Sequence, residues 1–237
     1  MIYQFDSRVR YSEADVKQNL TLNGVINYFQ DCSTFQSEEL GLGIEYLKES
    51  HRAWLLSAWQ IMIGRFPKFG ERITVQTWAC GFKAFYGDRN FTLLDERGDR
   101  IISANSLWIF IDTETGRPVK PDRGQLEKYG TEEKLDICRT SRKIVLPEEM
   151  EERGKFSVLR HQIDTNHHVN NGQYVQMAEE FLPEGFCIRQ MRAEYKKAAM
   201  LHDRIVPMVH QDEGVCTVAL CDEEKRPYAS VEFTAFV

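Results

Sequence analysis

At 237 residues, with 42% apolar and 11% aromatic side chains, the chain has material for one large domain or two small ones and for a sizeable core. Charged residues make up 28%, mean hydropathy is −0.45 and no apolar run reaches membrane-spanning length, so an ordinary soluble chain without a membrane span is expected. A net charge of −6 and a pI near 5.6 disfavour a nucleic-acid partner, because neutralising phosphates takes a concentrated basic face.

The opening residues, Met1 to Asp6, hold no basic region followed by an apolar stretch, so they do not read as a signal peptide, and a cytoplasmic location is expected. Val25, Tyr28, Phe29, Cys32, Phe35 and Leu40 fall near helical spacing, and Gly41 and Gly43 punctuate the end. Strands are predicted over Ala53–Gly64, Arg72–Cys80, Phe85–Leu94 and Ile101–Ile111, with a turn at Arg97-Gly98-Asp99. A charged stretch from about Thr113 to Lys155, with Pro118, Pro121 and Pro147, reads as a connection. A second helix takes in Tyr174, Met177, Ala178 and Phe181 until Pro183 stops it. Strands follow over Cys187–Tyr195, Ile205–His210, Val215–Leu220 and Tyr228–Val237, with a turn at Asp212-Glu213-Gly214.

The order repeats. Glu71-Arg72-Ile73 matches Asp203-Arg204-Ile205 at an offset of 203 − 71 = 132. Leu94-Asp95-Glu96 matches Cys221-Asp222-Glu223 at 221 − 94 = 127, and the strand from Ile102 matches that from Tyr228 at 228 − 102 = 126. One helix followed by antiparallel strands, twice over, predicts an α+β fold of two tandem units, each a sheet curled around a helix. Side-by-side pairing of the units would cover exposed sheet edges.

Between a strand-like entry at Ser157–Ile163 and the second helix lies Asp164-Thr165-Asn166-His167-His168-Val169-Asn170-Asn171. Unpaired polar groups cost stability when buried, so this concentration of acid, amide and imidazole asks for a chemical reason. Helix capping accounts for Asn170 or Asn171. It does not account for Asp164, Asn166 and His168, spaced two apart. A helix N-terminus can hold a carbonyl oxygen as charge develops, a carboxylate or imidazole can deprotonate water, and an amide can donate and accept at once. Of the two adjacent histidines, one is expected to face the site and the other solvent. His161, Asp164, His167 and His168 match no established metal-ligand spacing, so no metal is expected.

The cysteines at 32, 80, 138, 187, 216 and 221 form no Cys-x-x-Cys pair and are expected to be buried, reduced thiols. Cys187, nearest the cluster, reads as part of a core strand, and no Gly-x-Ser-x-Gly elbow occurs. Direct attack by water therefore fits better than a covalent intermediate.

Arg10-Tyr11-Ser12-Glu13-Ala14-Asp15, the Trp54–Trp59 strand, Tyr86-Gly87-Asp88-Arg89, the Asp164–Tyr174 run and Glu194-Tyr195-Lys196-Lys197 together resemble the acyl-acyl carrier protein (acyl-ACP) thioesterase family, the plant FatA/FatB type and its bacterial relatives. The resemblance covers essentially the whole chain. It implies a double hot-dog fold, with an N-terminal hot-dog domain at 1–120 supplying an acyl pocket, a charged linker at 121–155 and a C-terminal hot-dog domain at 156–237 carrying the catalytic motif. It further implies hydrolysis of the thioester between a fatty acyl chain and ACP, without a cofactor.

The family's catalytic Asp, Asn and His fall on Asp164, Asn166 and His168, with Asn170, Asn171 and Tyr174 positioning substrate. On this reading His168 or Asp164 orients and deprotonates water, Asn166 holds the reacting group, and the helix N-terminus polarises the carbonyl. The family pattern continues after Lys197 with Glu and often Cys; here those places are Ala198 and Ala199. In the first half the corresponding turn, Asp15 to Leu20, lacks histidine. That half is expected to supply the acyl pocket, with Tyr28, Phe29, Phe35, Trp54 and Trp59 as candidates. Because ACP is acidic, a basic docking face is expected at Arg189, Arg192, Lys196 and Lys197, with Arg139, Arg142 and Lys143 as a second group. An acyl-CoA thioesterase and a non-catalytic acyl-binding hot-dog protein remain the alternatives, and both monomer and homodimer stay open.

Overall fold

The computed structural model describes residues 1–138 and 140–236; Arg139, a docking candidate, and Val237, the last residue of the expected final strand, lie outside the described residues. Among the described residues a leading strand segment, a 3-10 turn, a main helix and four longer strands recur in that order, the first round with two additional short helices. The first round is β1 (Tyr3–Arg8), a 3-10 turn (Tyr11–Glu13), α1 (Leu22–Glu39), α2 (Ile44–Glu49), β2 (Arg52–Ile63), β3 (Arg72–Lys83), β4 (Tyr86–Leu94), β5 (Arg100–Asp112) and α3 (Arg123–Tyr129). The second is β6 (Glu151–Glu152), β7 (Phe156–Ser157), a 3-10 turn (Arg160–Gln162), α4 (Asn171–Glu179), β8 (Ile188–Tyr195), β9 (Arg204–Asp212), β10 (Val215–Cys221) and β11 (Pro227–Ala235). The chain divides into two compact units, Met1–Ser57 with Ile63–Cys138 and Ala58–Met62 with Arg139–Val237.

In the first unit β1, β3, β4 and β5 are neighbours in that order, all antiparallel. The alternation of β3 drives Ile73, Val75 and Thr77 inward and leaves Arg72, Thr74 and Gln76 outside. The inward stripe continues through Phe91, Leu93, Ile102 and Ala104 and meets Val25, Ile26, Phe29 and Cys32 of α1. Phe29 and Phe91 rings lie 5.1 Å apart. Helix α1 starts where Thr21 accepts a hydrogen bond from the Gly24 N–H at 3.0 Å, a side-chain cap for an otherwise orphan donor. It stops before Gly41, whose φ of +66° a residue with a side chain adopts only at a cost.

In the second unit β8, β11, β10 and β9 are antiparallel neighbours, and β6 and β7 pair with β9 as β1 pairs with β3. Residues Ala58–Met62 belong here, pairing with β8 so that Trp59 sits opposite Ala193. Met191, Ala193, Val231, Phe233, Val218 and Leu220 are buried, as are Tyr174, Val175 and Ala178 of α4.

The eight main strands anticipated are present with ends moved by a few residues. Helices α2 and α3 are additions, since one to two turns are too short for a periodic pattern to show. The stretch expected to be a charged linker at 121–155 is packed on both units in turn. Tyr129 at the end of α3 is buried with Leu42 and Ala79 in the first. In the second, Ile144 is 1% exposed and Leu146 and Met150 pack on Val206, Ala219 and Cys221. Arg192 holds this segment down by donating to the carbonyls of Ser141 at 2.5 Å and Lys143 at 3.2 Å, while Glu194 accepts from the Ile144 N–H at 3.1 Å.

Candidate active site

The polar cluster folds into one tight turn. The Asp164 N–H donates to the His168 carbonyl at 2.8 Å, and Asp164 Oδ1 accepts from the backbone N–H groups of Asn166 at 2.8 Å and His168 at 3.3 Å. The Asp164 carboxylate thus closes its own turn, as Asp side chains do in such loops. His167 takes the left-handed conformation, φ 63°, and is exposed with Asn166, while Asp164 and His168 are half-buried. The turn is tied outward by Val169 N–H to the Ala199 carbonyl at 3.0 Å and by Asn170 N–H to the Gln162 carbonyl at 2.9 Å. Asn170 is the N-cap of α4, its Oδ1 accepting from the Gly172 N–H at 2.8 Å, and Asn171 is the first helical residue.

The first unit builds the same turn 149 residues earlier (164 − 15 = 149). Asp15 N–H donates to the Asn19 carbonyl at 2.8 Å, and Asp15 Oδ1 accepts from Lys17 and Asn19 N–H, both at 2.8 Å. Gln18 has φ 63°, as His167 does. Leu20 N–H donates to the Pro67 carbonyl at 2.8 Å, and Thr21 N–H to the Glu13 carbonyl at 2.9 Å, duplicating the ties of Val169 and Asn170. Lys17 and Asn19 stand where Asn166 and His168 stand in the second unit. The backbone and the aspartate are therefore shared architecture; the amide at 166 and the imidazole at 168 distinguish the second turn.

The other expected site residues distribute as follows. Tyr174 is 2% exposed and its Oη accepts from the Ala199 N–H at 2.7 Å, so its hydroxyl faces backbone rather than an open site. Ala198 is exposed and Ala199 fully buried. The pocket aromatics do not form one set. Tyr28, Phe29 and Trp59 are buried, Phe35 is 44% exposed against Phe5, and Trp54 packs on Phe110 at 4.7 Å. Trp59 groups with the second unit, not the first. Tyr28 directs its hydroxyl to Glu13 at 2.7 Å and to the Arg8 carbonyl at 3.1 Å.

Of the basic candidates, Arg189, Lys196 and Lys197 are exposed, Lys197 paired with Asp222 and Lys196 with Glu194 at 3.8 Å. Arg142 and Lys143 are exposed as well. Arg192 is engaged within its unit, bound to Glu232 at 2.7 Å as well as to the carbonyls of Ser141 and Lys143. Its place in the middle of β8 turns it to covering the sheet, which the charge alone did not reveal.

Cys32, Cys80, Cys216 and Cys221 are buried. Burial pushes the Cys32 thiol up to about 12 and Cys221 to about 11, which keeps both protonated and poor nucleophiles. Cys187 and Cys138 are exposed, contrary to the expectation of burial. Cys187 precedes β8 rather than lying within it, its thiol donating to the Gly185 carbonyl at 3.5 Å. Among the described residues no three His, Cys, Asp or Glu side chains gather as a metal site, and no helix is long and apolar enough to cross a membrane.

Sequence reading missed a groove of about 300 Å³ in the second unit, lined by Phe156, Met177 and Phe181 together with polar residues that include His161, Gln173 and Glu180. At the offset of 149, Met177 of this groove stands where Tyr28 stands in the first unit.

The chain's likeness to known proteins agrees with this construction. The family model for the acyl-ACP thioesterase N-terminal domain matches residues 1–128, and that for the acyl-ACP thioesterase C-terminal domain matches residues 146–227. The chain is 22% identical over 214 residues to a chloroplastic palmitoyl-acyl carrier protein thioesterase of Arabidopsis thaliana, covering 83% of this chain and 52% of that one. It is 22% identical over 241 residues to a chloroplastic oleoyl-acyl carrier protein thioesterase of Coriandrum sativum, covering 89% and 64%. It thus spans between half and two-thirds of the length of these curated relatives. Among solved structures, an acyl-ACP thioesterase from Bacteroides thetaiotaomicron superposes with a TM-score of 0.90 at 24% identity, covering 98% of this chain and 97% of that one. The 12:0-ACP thioesterase from Umbellularia californica superposes with 0.86 at 17%, covering 98% and 96%. The fold is the double hot-dog of these neighbours. With both domain models matched in order along its length, the chain belongs to the acyl-ACP thioesterase family.

Proposed function

We propose that the chain hydrolyses the thioester of a fatty acyl-ACP, releasing the fatty acid and the carrier thiol by direct attack of water. The carrying observation is the contrast between two turns of the same build, only one of which presents Asn166 and His168 beside a helix N-terminus.

His168 takes a proton from water as the water oxygen bonds to the carbonyl carbon, and returns it to the departing sulfur as the C–S bond breaks. Asn166, exposed beside it, donates to and accepts from the reacting group. The N-terminal end of α4, with its macrodipole, favours the developing oxyanion. Asp164 holds the turn through its two backbone bonds, which leaves the imidazole as the base. Ala198 and Ala199 offer neither carboxylate nor thiol, and the buried Cys32 and Cys221 are held protonated. Both facts favour water over a covalent intermediate. The carrier, an acidic protein, is expected to meet the exposed cations Arg189, Lys196 and Lys197.

Fatty acid release from a series of acyl-ACPs of increasing chain length, with matching acyl-CoAs and the His168→Ala variant alongside, tests this. Chain-selective release from ACP that the variant loses is the expected result. Release from CoA alone moves the substrate class, and tight acyl binding without release from either carrier overturns the hydrolase reading.

A further inference from the structure

The two units serve as controls for one another. Hydrogen bonds made by both belong to the fold, and those made only beside His168 go beyond what the fold needs. Two tyrosine hydroxyls fall in the second group. Tyr174 Oη accepts from the Ala199 N–H at 2.7 Å while the Ala199 carbonyl accepts from the Val169 N–H at 3.0 Å, so Ala199 is gripped from both sides by the motif and its helix. Tyr195 Oη donates to the carbonyl of Asn171, the first residue of α4, at 2.9 Å.

The first unit retains everything around these bonds but not the bonds themselves. Subtracting 149 from Tyr174 gives Val25; subtracting 132 from Tyr195 and Ala199 gives Ile63 and Pro67. Valine and isoleucine have no hydroxyl and proline no N–H, so neither bond has a donor and an acceptor there. The correspondence is fixed by conserved backbone pairs. Leu20 to Pro67 repeats as Val169 to Ala199. Gly64 to Ile101 repeats as Lys196 to Tyr228, each at 2.9 Å. The same turn thus forms without either tyrosine. Burial raises the Tyr174 phenol to about 12 and the Tyr195 phenol further, so both stay protonated and keep their bonding roles across the working pH range.

We propose that Tyr174 and Tyr195 are positioning residues forming a clamp around the reacting turn, one locking the loop after β8 to the motif and the other locking the first turn of α4 to β8. This rests on the hydrolase reading above. Neither hydroxyl touches substrate; each acts through the backbone it holds, fixing His168 and Asn166 against the helix N-terminus.

The test is Tyr174→Phe and Tyr195→Phe, which keep the rings and remove only the hydroxyls. Tyr228→Phe, which removes a hydroxyl bonded to Asp203 at 3.2 Å in the same unit, is the control. The clamp predicts that each of the first two lowers kcat about tenfold with KM held within about twofold, because small displacements of reacting groups are expensive in rate. The control is expected to keep kcat at a similar loss of Tm. Unchanged kcat in both clamp variants overturns the proposal, as does an equal fall in Tyr228→Phe. If the wild-type chain releases no acid from any acyl-ACP, the hydrolase reading fails separately. The clamp is then read by backbone amide exchange. Faster exchange over Val169–Gly172 in the variants, with the Asp15–Leu20 turn unchanged, is the expected outcome, and equal protection in variant and wild type refutes the clamp.

Discussion

Asp164 and Asp15 make the division between scaffold and chemistry measurable. Each Oδ1 accepts two backbone N–H groups, from Asn166 and His168 in one turn and from Lys17 and Asn19 in the other. A bond of this kind contributes about 1 kcal/mol, so Asp164→Ala and Asp15→Ala should each lose about 2 kcal/mol, or about 4–8 °C in Tm for a chain of this size. Only Asp164→Ala should also lose turnover, because only its turn carries His168. The substitution Asp164→Asn is sharper. In each turn one oxygen accepts both bonds, so an amide oxygen in its place keeps the turn and removes only the charge. If the carboxylate serves the turn, Asp164→Asn should retain kcat within about tenfold, since a lost general base costs about a hundredfold or more. The assay is steady-state release from acyl-ACP beside thermal melting of the same preparations. A fall beyond about a hundredfold in Asp164→Asn with Tm unchanged would refute the assignment and make Asp164 the base.

Glu179, at the end of α4, is raised by burial and then by Glu180 to about 7 from an ordinary 4.5. Below pH 4.5 both folded and unfolded chains hold its proton; between 4.5 and 7 only the folded chain does, so stability falls as pH rises through that window, by at most about 3 kcal/mol. Denaturant midpoints should show Glu179→Gln more stable than wild type at pH 8 and equal to it near pH 4, and a constant difference across pH would contradict this. Phe29 at 0% exposure should lose about 3–5 kcal/mol on truncation to alanine, and Phe35 at 44% under about 1 kcal/mol, by urea unfolding. Comparable losses would place Phe35 in the core. Raising salt should raise KM for acyl-ACP while leaving kcat unchanged, and Arg189→Glu should do so at low salt; a KM indifferent to both would remove the basic docking face.

The strands were legible because their alternation is set by a sheet with one buried face, as in Ile73, Val75 and Thr77 against Arg72, Thr74 and Gln76. The repeat was legible for the same reason, and because Asp95 and Asp222 each close a strand turn by accepting N–H groups two and four residues on. The motif turn was legible as polar chemistry, and its counterpart at Asp15–Leu20 as a histidine-free relative. What the residue letters did not show was that both turns are wired alike, since only the aspartate is common to them while the bonds run through backbone. Helix α3 had a readable start in Asp122 and Gln125, the Asp122 N–H donating to Gln125 Oε1 at 3.0 Å, but seven residues leave no period to find. Arg192 could not be separated from a docking cation by charge alone. Its role depends on facing Glu232 across the ladder and on the carbonyls of Ser141 and Lys143 passing over it.

Duplication changes how a polar cluster is weighed. In a single domain, capping, turn closure and chemistry all compete for Asp164, Asn166, His168 and Asn170, and a turn-forming aspartate resembles a base. Here the first unit offers a comparison residue by residue. Asp15 and Thr21 do for their turn and helix what Asp164 and Asn170 do for theirs, without histidine nearby. Subtracting the shared part leaves Asn166, His168, Tyr174 and Tyr195. These four include the two side chains able to act on a thioester and the two hydroxyls that hold the backbone around them. The first unit has Lys17, Asn19, Val25 and Ile63 at the equivalent positions, two of them polar turn residues and two aliphatic. On the proposed reading the division of labour between the units is written in five positions rather than in the fold, these four and Ala199, whose counterpart Pro67 has no N–H to give, and exchanging those five is the smallest change that would move the site's features from one turn to the other.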